Sequence, residues 1–297
     1  MIYKGEQAIK DSLNVLKIEN HRKRESYVHK LLDYYNGSNT KYYIENRFDL
    51  DAFREVPPYE ANITKKFINK MSRIYTVGAD RNVNKKYDNL SVLKDAKMKH
   101  IERMTRLVGT IATRIMFVDG EMPHFDYQPI YYFHPFFGAD PFKPIAISYP
   151  LMHYTEDASN SDSCQYIHWN AESYIIFDES GKVLEEAEHG YGTLPFVFTH
   201  REHQSDSFYV EGANDICNAN EHINITMTEL QLGLRFQMFG QPVVSGADLG
   251  NNQRFGSDVI LELPEGANYN ILSPAGDIEK VIENVKFQME LVAQNNH

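Results

Sequence analysis

His200-Arg201-Glu202-His203 is the run in this chain that comes nearest to a metal-binding motif, with two imidazoles and a carboxylate in four residues. Its histidines lack the i, i+4 spacing that puts two ring nitrogens on one helix face. The run therefore predicts a polar turn after a strand. Glu156, Asp157 and Asp162 have the oxygen chemistry of a calcium loop. They lack its sixth-position glycine and twelfth-position glutamate, and so predict a solvated loop tip. Cys164 and Cys217 lie 53 residues apart with no CxxC; they predict two structural thiols in a reducing compartment, with a disulfide between them as the alternative. There is no GxxxxGK[ST] phosphate loop, no GxSxG nucleophile elbow, and the twelve histidines are scattered without a partner pattern. These residues predict no catalytic centre, no metal and no cofactor.

The elements must then serve something other than chemistry, and charge says what kind of surroundings they face. The 297 residues carry a net charge of −11, with a hydrophobic share of 42% that is ample for a packed core and excludes disorder over most of the length. Residues 1–110 hold 22 basic and 14 acidic side chains, a net of +8, whereas residues 111–297 hold 8 and 27, a net of −19. The acidic part cannot grip nucleic acid by charge, because phosphate affinity comes from Lys and Arg. No run of 18 apolar residues is present, so no transmembrane span and no membrane partner are expected, and the polar N-terminus predicts no signal peptide.

Periodicity predicts helices over 5–36, 63–76 (with Asn62 as N-cap) and 86–114, their basic residues nearly all on solvated outer faces. Asn36-Gly37 and Pro57-Pro58 are breaks. Residues 115–200 change character: the aromatic run Tyr131 to Phe137, a hairpin from Tyr174 to Leu184 turning at Gly181, and a strand near Leu194 to Phe198 predict a β-rich module. The fold class expected is α+β. In 212–239, Ile216, Ile223 and Leu230 recur at seven, as do Asn220, Met227 and Leu234, a heptad seam with Asn at one position on a helix about 40 Å long. A glycine-rich stretch with a strand at Val259 to Leu263 follows. A second helix then opens after Ser273-Pro274, with Ile278, Ile282, Val285, Met289 and Val292 on one stripe. Two readings fit this long, thin unit: it packs against copies of itself, or it is an antiparallel helical hairpin within one monomer.

Several runs, in order, resemble the portal proteins of tailed bacteriophages, the head-to-tail connectors. They are Lys23-Arg24 through Tyr34-Tyr35-Asn36-Gly37, Asn62 through Lys70, Leu194-Pro195-Phe196-Val197-Phe198, Glu211-Gly212-Ala213-Asn214-Asp215-Ile216, Asn220 to Asn224, and Gln241 to Gly246. The resemblance implies a ring-forming protein at one capsid vertex, usually of twelve subunits. Residues 1–210 would be its wing (helical 1–114, β-rich 115–200), 211–240 a stem helix, 241–276 a small β-containing clip, and 277–297 the start of a returning stem helix. The family's tunnel loop and crown would follow beyond His297. Implied partners are the major capsid or scaffolding protein, the terminase packaging motor, adaptor and tail proteins, and double-stranded DNA passing through without sequence-specific binding. Localisation would be the virion, and the host cytoplasm during assembly.

On that footing Glu221, Glu229, Glu279, Glu283 and Glu290 are expected to line a negative channel, and Asp248, Asn251, Arg254 and Asp258 to dock partners at the clip. Ile216, Ile223, Met227, Leu230, Leu234, Ile278, Ile282 and Val285 are expected to pack subunits together. The competing expectation is a non-viral homo-oligomeric or dimeric interaction module, whose helical hairpin binds a partner helix.

Overall fold

The computed structural model describes residues 5–48, 57–80, 82, 84–90, 94–119, 121, 123–151, 164–204, 206–239, 241–246, 265–272 and 278–295. They form two compact units, one of Met1–Gly37 with Asn62–Cys217, the other of Ser38–Ala61 with Asn218–His297. The division does not follow the chain linearly, since 38–61 joins the C-terminal residues rather than the surrounding N-terminal ones.

In the first unit the helical stretch expected over 5–36 is helical and divides into α1 (Gly5–Leu16) and α2 (Glu19–Asn36), because Ile18 takes an extended backbone (ψ 140°) between them. Gly37 ends α2 in the left-handed region at φ 76°, its N–H on the Asp33 carbonyl, as the Asn-Gly pair predicts. In the second unit α3 is Thr40–Glu45. Back in the first, Asn62 caps α4 (Ile63–Met71) by accepting the Lys65 N–H at 2.9 Å, and its amide donates to the Tyr35 carbonyl at 3.0 Å. This helix stops at Met71 rather than residue 76, and Ile74 is left 69% exposed. The expected helix over 86–114 becomes α5 (Lys85–Asn89), α6 (Lys94–Val108) and a strand, β1 (Thr110–Val118). The switch falls at Gly109, whose φ of +91° closes α6. Thereafter Thr-Ile-Ala-Thr-Arg-Ile, rich in β-branched side chains, pairs on both edges.

The β-rich module continues with β2 (His124–Ile130), β3 (His134–Phe137), β4 (Pro144–Leu151), β5 (Gln165–Trp169), β6 (Ser173–Phe177), β7 (Val183–Glu188) and β8 (Phe196–His200). One sheet has the order β2-β1-β8 and the other is a meander, β3-β4-β5-β6-β7, with every pair antiparallel. Segregated helices with antiparallel sheets make the fold α+β. The expected hairpin is β6–β7. Asp178 Oδ1 accepts the N–H groups of Ser180 and Lys182, and Gly181 supplies φ +87°. The aromatic run feeds the core: Phe133 is fully buried with Ile147, Trp169, Phe196 and Phe208 around it. Each such side chain stabilises by about 2–3 kcal/mol through area removed from water. The second unit adds helix α7 (Asn214–Phe239), which starts in the first unit, the hairpin β9 (Gln241–Ser245) with β10 (Asn268–Leu272), and α8 (Ile278–Asn295). The strand expected at Val259 to Leu263 lies outside the described residues.

The lead into α7 crosses the end of α6 backbone against backbone. The Ala213 N–H donates to the Leu107 carbonyl at 2.8 Å, and the Arg201 guanidinium donates to the Gly212 carbonyl at 3.0 Å. A Cβ on Gly212 would sit 2.2 Å from the Leu107 oxygen, and one on Gly109 would sit 2.1 Å from the Val210 oxygen. Gly212→Ala should therefore cost roughly 3 kcal/mol or more, read as a lowered midpoint in thermal unfolding. Gly233→Ala, at an open position inside α7 with nothing within 4 Å, should instead raise stability by about 0.5–1 kcal/mol. A tolerated Gly212→Ala would contradict the crossing.

Candidate functional site

Helix α7 buries polar side chains beside the expected heptad seam as well as the Asn220 that is part of it. Asn220, Asn224 and Thr228 are fully buried and Glu221 is 6% exposed. The spacing of four places Asn220, Asn224 and Thr228 on one stripe. That stripe holds the extended segment 57–61 of the same unit. Asn224 Oδ1 accepts the Ala61 N–H at 2.9 Å while its amide donates to the Ala61 carbonyl at 3.3 Å. Thr228 Oγ1 accepts the Tyr59 N–H at 2.9 Å and donates back to the Asn224 carbonyl at 2.7 Å. Among the described residues the segment has no strand partner, so these side chains satisfy backbone groups that burial would otherwise leave wanting.

Two expectations for α7 are corrected. Glu221 does not face a lumen: it is buried and its carboxylate lies 3.1 Å from the Arg47 guanidinium. Ile216 and Ile223, at 0% and 2% exposure, are packed by their own chain and offer nothing to a neighbouring subunit. Met227, Leu230 and Leu234 are half-buried, and Glu229 is exposed. Asp248, Asn251, Arg254 and Asp258 lie outside the described residues, as do Glu156, Asp157 and Asp162.

Helix α8 is the reverse of α7, with apolar side chains outside. At about 100° per residue its surface divides into arcs. Val285 and Val292 are buried and Ile278 and Val281 half-buried on one line. Beside them Ile282 and Met289 are 40% and 41% exposed. Next comes an arc with Glu279, Glu283 and Glu290, all exposed, and Lys286 at its edge. Beyond it, almost opposite the buried line, Phe287 is 61% and Leu291 44% exposed. The carboxylates thus lie between two partly apolar flanks, with the exposed Lys286 at one border and the exposed Lys280 between Phe287 and Leu291 on the other.

Groups with catalytic chemistry are placed elsewhere and differently. Ser148 Oγ lies 2.7 Å from His168 Nδ1, a nucleophile–base distance. Ser12 Oγ lies 2.8 Å from Ser148 Oγ and 3.2 Å from the ring. All three residues are 0% exposed, so no substrate reaches them, and the cluster pins α1 to β4 and β5. His200 Nδ1 contacts the Thr110 hydroxyl at 3.0 Å, and burial lowers the His200 pKa. No group of three or more metal-ligating side chains occurs among the described residues. Cys164 and Cys217 are free thiols, and the Thr64 hydroxyl lies 3.8 Å from the buried Cys217 sulfur.

One basic residue departs from the solvated faces expected of the N-terminal helices. The Arg24 guanidinium sits 3.7 Å over the Tyr209 ring, and burial lowers its pKa. Tyr209 donates to the Phe133 carbonyl at 2.6 Å. Alongside, the His21 and His134 rings meet edge to face at 4.5 Å, and His134 meets Phe136 at 4.8 Å. Burial first, and the neighbouring His21 second, push the His134 pKa down to about 3. Burial and then Arg24 lower His21 as well. Sequence periodicity could not have found this cluster, because its members come from α2, β3 and the segment after β8.

No protein-family model matches the chain, and no curated protein matches it.

Two outcomes follow from these sites. Asn224→Ala should cost about 1–3 kcal/mol in urea unfolding, and Asn224→Asp should also destabilise, since a carboxylate cannot donate to the Ala61 carbonyl. For His134, the native state binds fewer protons than the unfolded chain between pH 6.5 and about 3. Its contribution is full above 6.5 and falls away on acidification, by about 1–2 kcal/mol at pH 5. His134→Gln should flatten the stability–pH curve across that window; an unchanged slope would refute the assignment.

Proposed function

We propose that this chain is a portal subunit: one copy of a homo-oligomeric ring at a single capsid vertex, with twelve copies by the resemblance described above. The ring would pass double-stranded DNA during packaging and ejection, nucleate capsid assembly with capsid or scaffolding protein, and dock the packaging motor and later the adaptor and tail proteins. It would do no chemistry. The observation that carries the reading is the division of α8, an exposed acidic arc of Glu279, Glu283 and Glu290 between one flank with Ile282 and Met289 and another where Phe287 and Leu291 sit on either side of Lys280, all exposed. A helix set in a ring has two neighbours and one side on the opening. Partly apolar flanks suit the neighbours, and Ile282 with Met289 on one side differs from Phe287 with Leu291 on the other, as a heterologous, closing contact requires. Carboxylates on the opening repel phosphate, so DNA would slide without being held. The net charge of −19 over residues 111–297 supports the same picture.

The exposed flanks also suit a second reading, a dimeric module whose α8 takes a single partner helix. Light scattering and electron microscopy of the purified chain separate the two. A ring with a central hole is expected, and Phe287→Lys with Leu291→Lys should shift the mass toward smaller species. A chain that stays monomeric at high concentration would remove the ring, and a dimer would favour the module.

A further inference from the structure

We propose that the outer edge of β7 is a strand-addition site for an extended, basic segment of a partner protein. The proposal stands apart from the ring and does not depend on it. Strand β7 closes the five-stranded meander, and among the described residues no strand pairs with its far side. Five of its six residues are exposed, Val183 and Leu184 at 43% and 46%.

The phase of the ladder shows which backbone groups are open. The His189 N–H donates to the Glu172 carbonyl at 3.0 Å. In the same register Tyr174 faces Ala187 and Ile176 faces Glu185. Antiparallel pairs alternate between bonded and non-bonded. Ala187 and Glu185 therefore turn their backbone groups toward β6, while Glu186 and Glu188, opposite Ile175 and Ser173, turn theirs outward. A cleft of about 460 Å³ opens across the end of the β6–β7 pair, lined by Glu172, Ser173, Glu186, Ala187 and Glu188. An added strand would lie about 4.8 Å away and complete the outward bonds.

Charge selects the occupant. Strand β7 holds Glu185, Glu186 and Glu188 and no Lys or Arg. Glu186 and Glu188 share the sheet face of Ser173 and Ile175, so an incoming strand meets both with the side chains of alternate residues. Lys or Arg at those positions would form cross-strand ion pairs. Another β7 would bring glutamates against glutamates, which disfavours symmetric edge-to-edge pairing of two copies.

The test uses the full chain and a short fluorescent peptide alternating Lys and Val, with a Glu–Val peptide as its counterpart. Anisotropy should show binding of the basic peptide alone. Glu186→Gln with Glu188→Gln should weaken it by roughly threefold to tenfold. Glu186→Pro removes an N–H that points away from β6, so it should leave the sheet intact and cut binding by about tenfold or more. Fluorescence of Trp169, which stacks on Tyr174 at 4.7 Å, checks that the sheet is folded. Should the proline variant fail to fold, the wild-type chain is tested with the Lys–Val peptide N-methylated at alternate residues, where lost binding supports the proposal. The proposal is overturned if the basic peptide does not bind, or if binding survives both the proline and the N-methyl groups. It is also overturned if Glu186→Pro abolishes self-association of the free chain, which would make the occupant a second copy.

Discussion

Two backbones that meet without a side chain between them set the terms for the first unit. Where the lead into α7 crosses the end of α6, the Leu107 carbonyl accepts the Ala213 N–H, and neither Gly212 nor Gly109 has room for a methyl group. The same few residues end α6, start β1 between β2 and β8, and begin α7. The crossing explains why Thr110 is buried and engaged by the Val210 N–H at 2.9 Å, and why Arg201 is spent on the Gly212 carbonyl rather than on solvent or a ligand. Two residues of the polar run that could suggest metal chemistry, His200 and Arg201, are in the fold braces for a tight backbone junction.

The two long helices of the second unit divide polarity in opposite ways. Helix α7 takes amide, hydroxyl and carboxylate groups inside, Asn224 and Thr228 met by backbone and Glu221 by Arg47, whereas α8 leaves phenylalanine, leucine and methionine outside. A buried polar face is costly unless every group is matched, and such matching fixes one register of segment against helix. An exposed apolar face is stable only as a contact surface awaiting a partner. The first helix therefore specifies the fold of its own unit, and under the proposed function the second would carry contacts with neighbours.

Much of this was legible in residue order. Asn-Gly gave the end of α2, Asn62 the start of α4, and Asp178 to Lys182 the β6–β7 turn, because each of those signals acts through its own backbone neighbours. The expectation for 86–114 failed where a local signal lost to a distant one. Apolar spacing continues past Val108, but Gly109 breaks the helix and β8 recruits the β-branched residues beyond it. The seam on α7 was misjudged for a related reason. Residues seven apart mark a face, yet cannot say that Asn224 and Thr228 bind a backbone 163 and 169 residues away in sequence. The arc of Glu279, Glu283 and Glu290 was legible as a pattern; its setting between two partly apolar flanks needed the burial of Val285 and Val292 to fix which side of α8 is already taken.

The clamp on segment 57–61 has an evolutionary consequence. Asn224 and Thr228 grip only the N–H and C=O groups of Tyr59 and Ala61, and these are the same for almost any amino acid. Substitution could therefore run freely through the side chains of the held segment while the two helix positions stay fixed. Descendants of this chain would keep an asparagine and a threonine four apart, and lose every trace of what they hold.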